Sequence, residues 1–356
     1  MTEKNKRKPT IADVAKLAGI SPATASRVLS GSGYPVKKEV QQKILQAASD
    51  LNYKPNIIGQ MLRGGVSKEI GVIIPSLTNP FYAQLVSAVE NVCIKRGYMP
   101  IICSSQNKYQ LETMHLDMLQ KKQVAGFLLS SIHLDSAFLK TLHGIPMPFV
   151  LFDQPYGYEK TDSVTFDFFE AGYMATRFLF DAGHKDIVFA SGPLDRHSRK
   201  QLFEGYKKAL KEKHIRFSSQ NLVMASSAEI CDGNCEDGFH CGQCIGDLLM
   251  SREYLPDAVF AVNDMVAIGI IKALEKQGIR IPADVSVIGC DNIPFGEMLV
   301  PALTTVNQSA VETGQLATDI LLGRIENKQV DNNHIILHPK LIERETVRKI
   351  NYKVRR

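Results

Sequence analysis

The run from Thr10 to Ser30 constrains the fold more than any other part of the chain, because it compresses two capped helices and a tight turn into one short segment. Thr10 is placed to cap a first helix, with Asp13 in its first turn favourably set against the helix dipole and Ile11, Val14, Ala15 and Ala18 on one face. Gly19 ends that helix. Ser21 is placed to cap a second, and Pro22 takes its first position, where a missing N–H costs nothing. Two helices joined by a short turn containing glycine form a helix-turn-helix, whose second helix lies in the DNA major groove with its N-terminal side chains facing base edges.

An ordinary helical hairpin would share this pattern, and charge separates the two readings. Residues 1–65 carry 11 Lys and Arg against 4 Asp and Glu, a balance of +7, whereas the remainder carries 31 against 33, a balance of −2. A basic module on a near-neutral body is what binding to a phosphate backbone requires, since each neutralised phosphate releases condensed counterions. Lys4, Lys6, Arg7 and Lys8 form a run that reads either as a solvated tail or as a phosphate-contacting arm.

At 356 residues, 44% of them hydrophobic, the chain can build more than one core. No apolar run is long enough to span a bilayer, and the N-terminus is charged rather than an apolar secretory signal, so no membrane partner and a cytoplasmic location are expected. Seven cysteines, an odd number, do not suggest a secreted disulfide framework. No Gly-rich phosphate loop, Ser/His/Asp order or HExxH motif occurs, so the reading is of a non-enzyme without a cofactor.

After the second helix, Val40, Ile44, Ala47, Ala48 and Leu51 recur at helical spacing within 37–51 and predict a third helix packed on the first two. From Ile70 the pattern changes to short apolar runs alternating with helical stretches. Strands are expected at 70–74, 99–103, 126–130 and 148–152, then in a second set at 163–166, 187–190, 258–262 and 285–288. Such alternation means parallel α/β sheets with helical crossovers, and two sets in series imply two similar subdomains. Ligands in open α/β sheets bind at the carboxyl ends of the strands.

These residues together resemble the lactose/galactose repressor family of bacterial transcription regulators, whose core fold is shared with periplasmic sugar-binding proteins. The markers, spread over about residues 10–347, are Thr10 to Ser30, Leu51 to Asn56, Ile70 to Tyr82, Gly183-His184, Gly192-Pro193, Val262 to Asp264, Gly289 to Asn292 and Pro301 to Thr305. Leu337 to Arg344 is similar to the purine and ribose repressor branch. The resemblance implies a multidomain chain. An all-α helix-turn-helix DNA-binding domain at 1–55 is followed by a hinge helix and linker at 56–67. An α/β periplasmic-binding-protein-like core of two parallel-sheet subdomains comes next, one at 68–163 completed by about 292–325, the other at 164–291 completed by about 326–350. It further implies a homodimeric repressor on a pseudo-palindromic operator, controlled by a small hydroxylated effector (carbohydrate, nucleoside or purine-like). The basic stub after Arg344 lacks heptads, so the tetramerising tail of part of the family is not expected.

Carried onto this sequence, the resemblance assigns Thr10, Ser21, Pro22, Ala23, Thr24, Ser26, Arg27, Tyr53, Asn56 and Leu62 to DNA. Pro22, Ala23 and Arg27 face the groove, where Arg27 can contact guanine bidentately or hold a phosphate, while Pro22 and Ala23 offer only apolar contact. Leu62 stands where the family's hinge helix wedges a leucine into the minor groove. Gly59 in that hinge lowers its helix propensity.

Phe81, Tyr82, Asp153, Asp167, Arg196, Asn263 and Asp291 are the candidate effector residues, on loops at strand ends where ring faces and fixed polar groups suit a hydroxylated ligand. Asp264 reads first as a helix N-cap. Two departures from the family stand out. Many relatives carry an effector-binding Arg where this chain has Leu202, with Arg196 and Arg199 nearby. The chain also has Cys231, Cys235, Cys241 and Cys244 with His240 in one short stretch, a set able to hold metal or switch by oxidation, although the spacing matches no standard zinc motif and inert thiols are the favoured reading.

Overall fold

The computed structural model describes residues 9–29, 35–54, 67–132, 136–154, 161–226, 238–326 and 333–350. The basic run at Lys4 to Lys8, the hinge with Asn56, Gly59 and Leu62, and Cys231 and Cys235 lie outside them. The chain divides into two units, Met1–Ser67 and Lys68–Arg356.

In the first unit α1 (Ile11–Ala18), α2 (Pro22–Leu29) and α3 (Lys38–Asp50) close around Val14, Ala15, Ala25, Ile44, Ala47 and Ala48. Small alanines at the crossing points let three short helices approach closely enough to share a core that none could form alone. The Thr10 hydroxyl accepts from the Asp13 backbone N–H while the Asp13 carboxylate accepts from the Thr10 backbone N–H, a reciprocal capping box. Gly19 ends α1 at φ 68°, in the left-handed region that suits glycine. Ser21 Oγ accepts from the Thr24 backbone N–H at 3.2 Å and so caps α2, which starts at the next residue, Pro22.

The second unit holds two six-stranded sheets of matching order. The first contains β1 (Glu69–Ile74), β2 (Met99–Ser104), β3 (Phe127–Leu129), β4 (Phe149–Asp153), β5 (Ser163–Phe166) and β11 (His334–Leu337), in the order β11-β5-β4-β3-β1-β2. The second contains β6 (Ile187–Ser191), β7 (Leu222–Met224), β8 (Ala258–Ala261), β9 (Ser286–Asp291), β10 (Thr304–Asn307) and β12 (Lys340–Ile342), in the order β12-β10-β9-β8-β6-β7. Among the described strands all pairings are parallel except that of β10 with β12. The central strands are buried on both faces, which is why they read as unbroken runs of Val, Ile, Leu and Phe rather than as alternations.

The intervening helices are α4 (Pro80–Lys95), α5 (Tyr109–Lys122), α6 (Ser136–His143), α7 (Phe168–Asp181), α8 (His197–Glu212), α9 (Gly238–Met250), α10 (Asp264–Lys276), α11 (Pro294–Met298) and α12 (Ala310–Ile325). Helices α7 and α8 meet through Gly172 and Gly205. A Cβ on Gly172 would lie 2.1 Å from the Leu202 carbonyl oxygen, and one on Gly205 would lie 2.1 Å from that of Phe169. None of the described helices is long and apolar enough to cross a membrane.

Sheet membership departs from the expected division in both directions. The strand Ser163–Phe166 pairs with β4 and β11 and so belongs to the first sheet, not to the second set. Residues 304–307 form β10 beside β9 in the second sheet, although 292–325 was expected to complete the first subdomain; only α12 from that span packs on the first sheet. Within 326–350, β11 joins the first sheet and β12 the second. The chain thus crosses between subdomains three times, after Phe166, at Gln308-Ser309 and at His338-Pro339. Local hydrophobicity reveals that a strand exists, whereas its sheet is set by which backbone it pairs with, and that partner is distant in sequence.

Candidate DNA interface and ligand cleft

On α2 the face turned to the core carries Ala25, fully buried, and the opposite face presents Pro22, Ala23 and Arg27 to solvent. Ala23 and Arg27 are one turn apart and project side by side. Among the other expected DNA contacts, Ser21 and Thr24 are hydrogen-bonded to each other at 2.9 Å, Ser26 is half-buried on α2, Thr10 is held in its capping box, and Tyr53 packs half-buried against the three-helix core. A short basic helix with a small, apolar N-terminal tip and one outward guanidinium is built to enter a groove.

In the second unit a cleft of about 470 Å³, counting its open mouth, lies at the carboxyl ends of both sheets. Six of the seven expected effector residues converge there: Phe81 and Tyr82 from the start of α4, Asp153 from the end of β4, Arg196 ahead of α8, Asn263 after β8 and Asp291 at the end of β9. Asp167 does not. It sits at the first crossover, where its carboxylate accepts from the Glu170 backbone N–H at 2.9 Å and caps α7. An Asp after a strand has the same appearance in sequence whether it caps the next helix or meets a ligand.

Asp153 is buried and saturated. Its Oδ2 accepts from the Tyr82 hydroxyl, the Ser130 hydroxyl and the Gln154 amide, each at 2.9 Å, and its Oδ1 from the Gln308 amide at 2.6 Å. Gln308 belongs to the second crossover, so this carboxylate ties the end of β4 to a strap between the subdomains. Burial raises its pKa and the four donors oppose that rise. Its backbone is at φ 71°, and that of Asp291 at φ 134°. Both conformations disfavour a side chain and persist only because the surroundings fix them, as is common at binding sites.

Asp291 differs in kind: its Oδ2 is buried without a partner among the described residues. Burial, with Asp264 and Asp153 nearby, pushes its pKa well up, and the Asn79 amide from the facing subdomain is the opposing influence. A carboxyl held toward its neutral form can both donate to and accept from a ligand hydroxyl or amide. Asn263, not Asp264, is the N-cap of α10, accepting from the Val266 backbone N–H at 2.8 Å and keeping its NH₂ for the cleft. Asp264 is the first residue of that helix and fully buried; it accepts from the Thr305 hydroxyl and, at 2.9 Å, from the Ile293 backbone N–H. Burial raises its pKa to about 6.

The sequence reading did not assign Asn79, Gln154, Phe168, Ser198, Arg199, Val262 or Gln308 to the cleft, yet all line it. Leu202 also lines it, 2% exposed. Gln308 had no local signal, being brought in by a crossover, whereas Ser198, Arg199 and Leu202 follow from helical spacing once α8 is known to begin at the cleft. Cys241 is buried and Cys244 half-buried near the start of α9. Among the described residues no group of three or more His, Cys, Asp or Glu side chains could hold a metal ion.

A helix-turn-helix unit and a core with a polar cleft between two parallel sheets define a class: DNA-binding regulators whose core takes a small ligand. Residues 10–56 match the family model described as bacterial regulatory proteins, lacI family, and residues 176–347 match a periplasmic binding protein-like domain. The chain is 35% identical over 340 residues to the HTH-type transcriptional repressor PurR of Histophilus somni strain 129Pt, covering 95% of this chain and 99% of that one. It is 36% identical to the PurR repressor of Pasteurella multocida, with 95% and 98% covered. Among solved structures, the lac repressor dimer bound to operator and the anti-inducer ONPF matches with a TM-score of 0.81 at 25% identity, over 96% of this chain and 100% of that one. A complex of the transcriptional regulator CelR with cellobiose matches with a TM-score of 0.67 at 26% identity, over 95% and 99%. The chain belongs to the lacI family of bacterial regulatory proteins and is a DNA-binding transcriptional repressor with an effector-binding core.

Proposed function

We propose that α2 reads a two-fold operator as part of a cytoplasmic homodimer, and that a hydroxylated small molecule in the cleft controls that binding without being turned over. The observation that carries this reading is the convergence of Phe81, Tyr82, Arg196, Asn263 and Asp291 on one cleft spanned by three chain crossovers. A ligand gripped from both sides favours one angle between the subdomains, and the crossovers convert that preference into a change at the amino-terminal end of the core. PurR and lac repressor names among the relatives support repression as the outcome, and the CelR complex with cellobiose supports a sugar-like ligand class.

Pro22 and Ala23 supply only apolar contact, so base discrimination by α2 rests on Arg27. Binding-site selection with the full chain is expected to return a palindromic site with a guanine at symmetric positions. Replacing Arg27 with Ala should relax those positions and cost about 1–3 kcal/mol per half-site. Uniform weakening on every sequence would instead make Arg27 a phosphate contact, and failure to select any site would remove the operator reading.

A further inference from the structure

The wall of the cleft formed by the start of α8 has a composition unlike the rest. Arg196 is its N-cap residue and makes no side-chain cap hydrogen bond, so the first backbone N–H groups of α8 have no acceptor in their cap residue's side chain. Among the described residues Arg196 has no ion-pair partner, and Ser198, a residue 7% exposed, lines the cleft beside it. Arg199 follows at the end of the same turn.

The Arg199 side chain is only 19% exposed. Its Nη1 donates to the Pro193 carbonyl at 2.8 Å and reaches Asp195 Oδ1 at 3.5 Å, while Nε and Nη2 have no acceptor among the described residues. Asp195 is 68% exposed, so solvent screens most of its charge. Burial and then the Arg196 charge lower the Arg199 pKa to about 10. Gly192 makes the room for it: a Cβ there would come within 3.3 Å of Nη1. Among the described residues, the Arg196 and Arg199 side chains thus line the cleft with one screened carboxylate, Asp195, in reach of Arg199. Of the acids opposite, Asp153 spends both carboxylate oxygens on four protein donors and forms no ion pair with either guanidinium, and Asp291 is held toward its neutral form.

We infer that the effector of this cleft is a hydroxylated anion, a sugar acid or sugar phosphate, whose carboxylate or phosphate is bound by Arg196, Arg199, Ser198 and the start of α8 while its hydroxyls meet Asn263 and Asp291. The inference rests on the cleft being the effector site and narrows its ligand class. Half-buried guanidinium groups with donors left over in a fixed fork match the oxygens of an anion, and a helix start whose N-cap side chain accepts nothing adds donors of the same polarity. Leu202 cannot supply a charge, so Arg199, one turn earlier on the same helix, is the cation that sets specificity. Carboxylates and phosphates share this chemistry and are separated by the panel used.

The test is calorimetric titration of the full chain with aldonic acids, uronic acids and sugar phosphates, each beside its uncharged parent sugar. At least one anion is expected to bind about tenfold or more tighter than its parent. That advantage should shrink as salt rises. Arg199→Gln should abolish the advantage and Arg199→Lys retain part of it, with unliganded melting curves showing that both variants are folded. Equal affinity for anion and parent, unchanged anion affinity in Arg199→Gln, or no binding by any anion would each overturn the inference. A neutral compound that binds and alters operator affinity would overturn the anion assignment and leave the effector reading standing, whereas a bound anion without effect on operator affinity would sink the effector reading itself.

Discussion

At the residue scale the cleft depends on how buried carboxyls are satisfied. Asp153 has four donors, and deleting one leaves a buried acceptor short of a charge-assisted hydrogen bond. Tyr82→Phe is therefore expected to destabilise the core by about 2 kcal/mol in denaturant unfolding, with little change in the far-ultraviolet spectrum. Glu112 offers a separate readout. It is fully buried on α5, takes the Ser131 hydroxyl on Oε1 at 2.6 Å, and has no partner on Oε2 among the described residues. Burial raises its pKa from 4.5 to about 7. The folded protein thus holds this proton to about pH 7 while the unfolded chain releases it near pH 4.5, so the folded state binds more protons between those values. Stability contributed by the neutral form is lost as pH rises through that window. Glu112→Gln should be more stable than the unaltered chain by up to about 3 kcal/mol at pH 8, and the difference should close by pH 5. A difference independent of pH would contradict this account of Glu112.

At the element scale, close approach explains residues that no site requires. Helices α7 and α8 touch backbone to backbone at Gly172 and Gly205, and this contact fixes where the start of α8, with Arg196 and Arg199, faces the cleft. Gly172→Ala would drive a methyl group into the Leu202 carbonyl. Overpacking of this kind costs about 1–3 kcal/mol, so a lower melting temperature is expected together with weaker ligand binding, because the helices must part. Unchanged ligand affinity would show that the position of α8 tolerates the shift. The helix-turn-helix was legible for the opposite reason: its caps, turn glycine and first-position proline are all local signals, and Thr10, Gly19, Ser21 and Pro22 each do what their chemistry indicates.

At the scale of the whole molecule, the same contrast decides what the sequence could reveal. Strands buried on both faces were visible as apolar runs, and the cleft could be placed at their carboxyl ends. The sheet to which 163–166 and 304–307 belong could not be read, because three crossovers interleave the subdomains and pairing partners lie far along the chain. For the same reason Gln308 was invisible as a cleft residue, and Asp167, locally indistinguishable from Asp153, proved to be a cap. The three crossovers also join the two subdomains whose strand ends form the cleft, which is the connection the proposed control of DNA binding would use.

The most direct test is the affinity of the full chain for its selected operator, measured by fluorescence anisotropy with and without a saturating ligand shown by calorimetry to occupy the cleft. The account requires the two affinities to differ by about 1–3 kcal/mol, or roughly 5- to 150-fold, with the operator changing ligand affinity by the same factor. A ligand that fills the cleft and leaves operator affinity unchanged would contradict it.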